Sequence, residues 1–144
     1  MSKAFLDANI FFAAAKSHFG GSYFILELAK KRRITVVTSA HALAEVERNI
    51  EKKLGGEALN EHYENLLEIR PKIQSLEMLP LGLEEKLKAY IPEKDIPILA
   101  GAILSEVDCF ITLDKKHFLG NKNLSKLNLP FAILTPGSFI QRYF

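Results

Sequence analysis

The chain has 144 residues, 48% of them hydrophobic, with 19 basic and 17 acidic side chains and a formal net charge of +2. That length suits one domain, 1–144, with a core of its own, and so small a net charge does not by itself argue for nucleic acid. No run of about 18 apolar residues occurs, so no transmembrane helix or membrane partner is expected. The opening MSKAFLDANIFF lacks the small-residue cleavage site of a secretion signal, so a cytoplasmic protein is expected. The single cysteine, Cys109, rules out an internal disulfide framework and is expected to pack in the core.

Taken in chain order, Lys3 to Leu6 reads as a strand running into Asp7, and Ile10 to Ala15 as a short helix whose start suits Asp7 and Asn9. Gly20-Gly21-Ser22 marks a break before a helix over Tyr23–Lys31, which ends in basic residues as the helix dipole favours. Ile34 to Thr38 is β-branched and predicts a second strand. Ser39 is a candidate cap for a helix to about Leu54, with Leu43, Val46, Ile50 and Leu54 as its core stripe. A further helix is expected from Glu57 to about Ile73, a third strand over Leu76–Leu79, and a short helix over Leu83–Ala89. Asp95 stands where a helix start wants an acceptor, ahead of Pro97 and the periodic Ile98, Leu99, Ala102 and Ile103. Cys109 to Leu113 predicts a strand buried on both faces, followed at once by Asp114. Residues 115–128 are polar, Phe131–Leu134 predicts a last strand, and Pro136 opens a C-terminal helix.

Strands alternating with helices predict an α/β fold: a Rossmann-like three-layer α/β/α arrangement with a mostly parallel sheet of four to five strands. Such sheets hold ligands beyond the carboxyl ends of their strands. Asp7 and Asp114 directly follow strands. Asp95 opens a helix at the same end of the layer, and Glu45 lies in the second turn of the helix after Ser39. Four carboxylates in one place raise one another's pKa unless a cation compensates them. An all-oxygen set suits Mg²⁺ or Mn²⁺ rather than Zn²⁺. On a helical wheel Glu47 lies closer than Glu45 to the Leu43/Val46/Ile50 stripe, so the pattern alone does not choose between them. Asp108 reads as a structural turn residue. His18, His41, His62 and His117 show no metal-ligand spacing, although His117 follows Asp114 closely enough to meet a phosphate.

Three segments, FLDANIFFAA, SAHALAEVERNI and DIPILAGAILSEVDCFITLDKKHF, together resemble the PIN-domain ribonucleases in order and spacing over most of the chain. The resemblance implies that the family's acids map to Asp7, Glu45, Asp95 and Asp114, which would hold the metal and carry catalysis. It maps the polar residue beside the last acid to Thr112, and it gives Asn9 the orienting of a metal-bound water. Two departures stand out: Leu113 replaces the glycine of T-G-D, and Lys116 and His117 stand where many members carry a further acid, which weakens a second metal position.

The reading is a Mg²⁺- or Mn²⁺-dependent endoribonuclease acting on single-stranded RNA by in-line attack of water, leaving a 3′-hydroxyl and a 5′-phosphate. Neutralising the four acids leaves 13 acidic against 19 basic residues, a surplus suited to phosphate contacts. Phe11, Phe12 and Tyr23 are candidates for stacking on bases. A small PIN-like protein favours the toxin of a toxin–antitoxin pair over a stand-alone processing nuclease. An antitoxin and a second copy, docked through Phe139, Ile140, Tyr143 and Phe144, are the expected protein partners. The rival readings are a non-catalytic PIN-like scaffold for RNA or protein, and a phosphatase built on an aspartyl-phosphate. The phosphatase needs D-x-D, and the second position here is Asn9.

Overall fold

The computed structural model describes residues 2–75, 77 and 79–144. Five strands, β1 (Ser2–Leu6), β2 (Ile34–Ser39), β3 (Lys72–Gln74), β4 (Cys109–Ile111) and β5 (Ala132–Leu134), form one sheet in the order β3-β2-β1-β4-β5. Every pairing is parallel, with Phe5 opposite Val37 on one side and Phe110 on the other. One helical layer comprises α1 (Ala8–Lys16), α2 (Gly21–Lys30), α3 (Ala40–Lys53) and α4 (Gly56–Ile69), with α7 (Pro136–Tyr143) packed on α2. The second comprises α5 (Leu83–Lys88) and α6 (Ile96–Leu104), α6 lying against β2 and β3. This is the three-layer α/β/α arrangement with a parallel sheet that the alternation of elements predicts.

The burial of each element follows from its sequence. β1, β2 and β4 are apolar on both faces because helices cover both, and Phe5, Leu6, Val37, Cys109, Phe110 and Ile111 are buried. Burial pushes the Cys109 thiol up to about 12, with the charge of Asp108 a smaller contribution, so it stays a neutral packing group. Helix α6 is buried nearly all round, from Ile96 through Ala102. Phe5 and Phe110 stack at 5.6 Å, and Phe110 in turn meets Phe118 at 4.9 Å and Phe131 at 6.1 Å. This aromatic row ties the central strands to the segment after β4. Asp108 is structural, as expected: its carboxylate accepts from the Lys3 N–H, and its own N–H donates to the Lys3 carbonyl, both at 2.8 Å.

Boundaries at the end of β4 and around β3 differ from expectation. β4 ends at Ile111, short of the Leu113 expected, and Leu113 is exposed because it lies past the part of the sheet that helices cover. Helix α4 stops at Ile69, where Arg70 takes a left-handed conformation (φ 53°), and Pro71 then prevents its continuation. The third strand therefore forms at Lys72–Gln74, overlapping the end of the span expected to be helical. Of the strand expected over Leu76–Leu79, Leu76 and Met78 lie outside the described residues.

The polar segment after β4 is not plain loop. Residues Lys115–Leu119 make a π-helical turn, closed by Leu119 N–H to the Asp114 carbonyl (3.0 Å) and Gly120 N–H to the Lys115 carbonyl (2.6 Å). A Cβ on Gly120 would sit 2.8 Å from that same carbonyl oxygen. Gly120→Ala should therefore cost about 1–3 kcal/mol, because a backbone oxygen has to move. Urea unfolding measures this, and a change below about 0.5 kcal/mol would mean that the turn yields freely.

Candidate active site

From β1 the chain steps outward through β2 to β3, and later returns to add β4 and β5 on the other side. The reversal opens a crevice beyond the carboxyl ends of β1 and β4. A cleft of about 260 Å³ lies there, lined by Asp7, Asn9, Phe12, Glu45, Asn49, Lys53, Lys94, Asp95 and Asp114. A larger hollow beside β5, about 420 Å³, is lined by Phe118, Leu124, Leu127, Phe131 and their neighbours and carries no carboxylate.

Asp7 is 5% exposed. Its carboxylate accepts from Ala8 N–H (2.7 Å), which caps α1, from Thr112 Oγ1 (2.7 Å) and from Asn9 Nδ2 (3.2 Å). Burial nonetheless pushes it from 3.8 up to about 6. The Thr112 and Ala8 hydrogen bonds oppose the rise, and the charges of Glu45 and Asp95 add to it. Thr112, fully buried, also accepts from Asn9 Nδ2 (3.3 Å) and Asp114 N–H (3.1 Å). Asn9 Oδ1 accepts from Leu113 N–H (3.0 Å). Thr112 and Asn9 thus brace the end of β1 against the end of β4, and both groups of the Asn9 amide are engaged.

Asp114 Oδ1 accepts from His117 N–H (2.9 Å) and caps the π-helical turn. Asp95 differs from its expectation as a helix cap. It closes a 3₁₀ turn, its φ of −92° and ψ of −10° are helical, and its side chain accepts no capping bond. A cap needs extended backbone to turn its oxygen back on the helix, which Asp95 lacks. Its carboxylate faces His117 instead, with Oδ2 2.9 Å from Nδ1, and Asp114 Oδ2 lies 3.2 Å from the same nitrogen. Burial raises the Asp95 pKa, opposed first by His117 and then by Lys94.

Glu45 lines the cleft, whereas Glu47 is exposed, its charge acting on Tyr63 and His62 of α4. Glu45, Asn49 and Lys53 recur every four residues along α3 and present one face to the crevice, a stripe legible in the sequence but polar, so the search for a hydrophobic stripe passes over it. Of the three aromatic candidates, Phe11 is buried against His62 and Tyr23 stacks on His18, leaving Phe12 at the cleft with the Lys53 ammonium 5.7 Å above its ring. The ligand atoms of Asp95, Asp114 and His117 all lie within 4.8 Å of one another. His117 Nδ1 and Asp95 Oδ2 are buried without an aligned hydrogen bond, despite their short separation. Converging oxygens with an unsatisfied polar pair are a donor set that fits a divalent cation.

A parallel sheet with four carboxylates at its switch-point crevice defines an α/β protein with an acidic site. The chain belongs to the PIN domain family, whose profile matches residues 3–116. Among solved structures, the chain resembles VapBC2 from Rickettsia felis bound to a DNA fragment from its promoter, at 21% identity and a TM-score of 0.66, covering 92% of this chain and 98% of that one. It also resembles Mycobacterium tuberculosis VapC20, a sarcin–ricin loop cleaving toxin, at 16% identity and a TM-score of 0.56, covering 81% of this chain and 94% of that one. Curated proteins offer no sequence match.

Proposed function

We propose that the chain is a metal-dependent endoribonuclease that hydrolyses single-stranded RNA. In this reading Asp7, Glu45, Asp95 and Asp114 hold Mg²⁺ or Mn²⁺ and carry catalysis, and Asn9 and Thr112 position them. The observation that carries the reading is the convergence of all four acids on one cleft, where Asp95 has no capping duty to explain its presence. Membership in the PIN domain family supports the nuclease class. The likeness to VapBC2 and to the toxin VapC20 supports the role of a toxin held in check by an antitoxin. A bound divalent ion supplies an acidified water and Lewis-acid polarisation of the scissile phosphate. The protein's part is to hold Asp7 and Asp114 in register through Thr112, and to place Lys53 and Lys94 at the rim for flanking phosphates.

Phe12, half-buried at the cleft, offers its ring to a base of the incoming strand. Phe12→Ala should weaken single-stranded RNA binding about tenfold, with Phe12→Trp restoring it, read by anisotropy in a background where cleavage is blocked. No helix among the described residues is long and apolar enough to cross a membrane, which suits a cytoplasmic enzyme. A homodimer belongs to the same proposal. Phe139 is buried within the protomer, which leaves Phe144, 49% exposed, and the half-buried Ile140 and Tyr143 for that contact. Light scattering of the purified protein tests it.

The deciding experiment is cleavage of end-labelled single-stranded RNA with Mn²⁺, Mg²⁺ or EDTA, using wild type and Asp114→Asn. Metal-dependent cutting lost in the variant supports the assignment. Cutting that persists in the variant or in EDTA sinks it.

A further inference from the structure

The π-helical turn after β4 sets the His117 imidazole beside two of the carboxylates that line the cleft, Asp95 and Asp114. The turn is pinned without using the imidazole. His117 N–H donates to Asp114 Oδ1 (2.9 Å), the His117 carbonyl accepts from Asn121 Nδ2 (2.9 Å), and the neighbouring Phe118 ring packs on Phe110. The Asn121 amide also donates to the Tyr90 carbonyl (2.8 Å), which anchors the turn to the segment before α6. The ring is thereby held with Nδ1 aimed between Asp95 Oδ2 at 2.9 Å and Asp114 Oδ2 at 3.2 Å. Buried polar atoms are rarely left without a well-aligned partner, yet Nδ1 and Asp95 Oδ2 face each other off-axis. A species bridging all three atoms satisfies them together.

We propose that His117 Nδ1 is itself a ligand of the divalent ion held by Asp95 and Asp114, and that this nitrogen makes the centre prefer Mn²⁺ to Mg²⁺. The proposal rests on the reading of the cleft as a metal centre. Mg²⁺ demands hard oxygen ligands, whereas imidazole suits the softer first-row ions. A neutral donor also contributes a ligand without adding to the repulsion among the carboxylates. The ring would ligate as the neutral tautomer, with its proton on Nε2.

The test is pulsed electron paramagnetic resonance of Mn²⁺ bound to the full chain, with isothermal titration of Mn²⁺ and Mg²⁺ alongside. Wild type is expected to show a nitrogen coupling that changes on labelling its histidines with ¹⁵N, an arm that needs no variant to fold. His117→Gln and His117→Ala should lose that coupling, bind Mn²⁺ at least fivefold more weakly, and change Mg²⁺ affinity less than twofold. Three results overturn the proposal while leaving the carboxylate centre intact: Mn²⁺ binding without nitrogen coupling in wild type, coupling that persists in folded His117 variants, or equal losses for the two metals. Failure of wild type to bind Mn²⁺ at all overturns both.

Discussion

Asp7→Asn should lower metal-dependent RNA cleavage by about a thousandfold or more, equivalent to about 4 kcal/mol of transition-state stabilisation, and yet make the metal-free protein more stable. Both effects have one origin. Asp7 is nearly excluded from water and stands in the field of Glu45 and Asp95, so its ionised form is disfavoured until a cation compensates it. Its pKa is 3.8 in an open chain and about 6 in the fold. The folded state therefore binds more protons than the unfolded state between those values, and stability falls as pH rises through that window. Above it the ionised carboxylate has cost the fold roughly 3 kcal/mol. Asparagine carries no charge, but its amide meets the Asn9 amide as donor to donor, so the expected net gain at pH 7 is about 1–2 kcal/mol. Thermal unfolding in EDTA should then rise by roughly 3–6 °C for Asp7→Asn. Wild type should lose stability between about pH 4 and pH 6, and the variant should lack that component. A variant less stable than wild type at pH 7 would mean that the carboxylate's hydrogen bonds outweigh its desolvation.

Thr112→Val is the second large effect, and its sign is opposite. The Thr112 hydroxyl donates to Asp7 and accepts from Asn9 and from the Asp114 N–H, all within 3.3 Å. Valine keeps the shape and removes the hub, leaving a buried carboxylate oxygen and a backbone N–H short of partners. The expected loss is about 2–3 kcal/mol, with cleavage reduced at least tenfold because Asp7 and Asp114 lose their common brace. Thr112→Ser restores the hydroxyl and should recover most of both. If valine costs stability while the cleavage rate stays within twofold, the brace is structural only.

Much of the fold was legible from local pattern. The runs over Ile34–Thr38 and Cys109–Ile111 are short, mostly apolar and β-rich, and such runs have few alternatives to a strand buried on both faces, although the strand expected to reach Leu113 ends at Ile111. The cap at Ser39 was equally plain, its hydroxyl accepting from Ala42 N–H at 3.1 Å. The third strand was not legible, because β3 lies at the sheet edge and is only three residues long. Its Lys72 and Ile73 are exposed, so no burial pattern marks it, and what defines it is pairing with Val37 to Ser39. The polar stretch after Asp114 hid its π-helical turn for a related reason. The turn is held by the His117 N–H donating to Asp114, by the Asn121 amide donating to the His117 and Tyr90 carbonyls, and by Phe118 on Phe110, and the anchor to Tyr90 has no local signal.

The site divides along the same line. The sequence by itself determined that acids follow the first strand and the strand run from Cys109 and open the helix before that run, since strand and helix periods set those ends. It also determined that one histidine stands three residues beyond the last acid. The helical pattern left Glu45 and Glu47 open and only the resemblance chose Glu45; in the fold, with Ala42, Val46 and Ile50 buried, Glu45 lines the cleft and Glu47 is exposed. Only the tertiary structure released Asp95 from capping and set His117 Nδ1 against it. These are contacts between separate elements, and local propensity carries no information about what the other element presents.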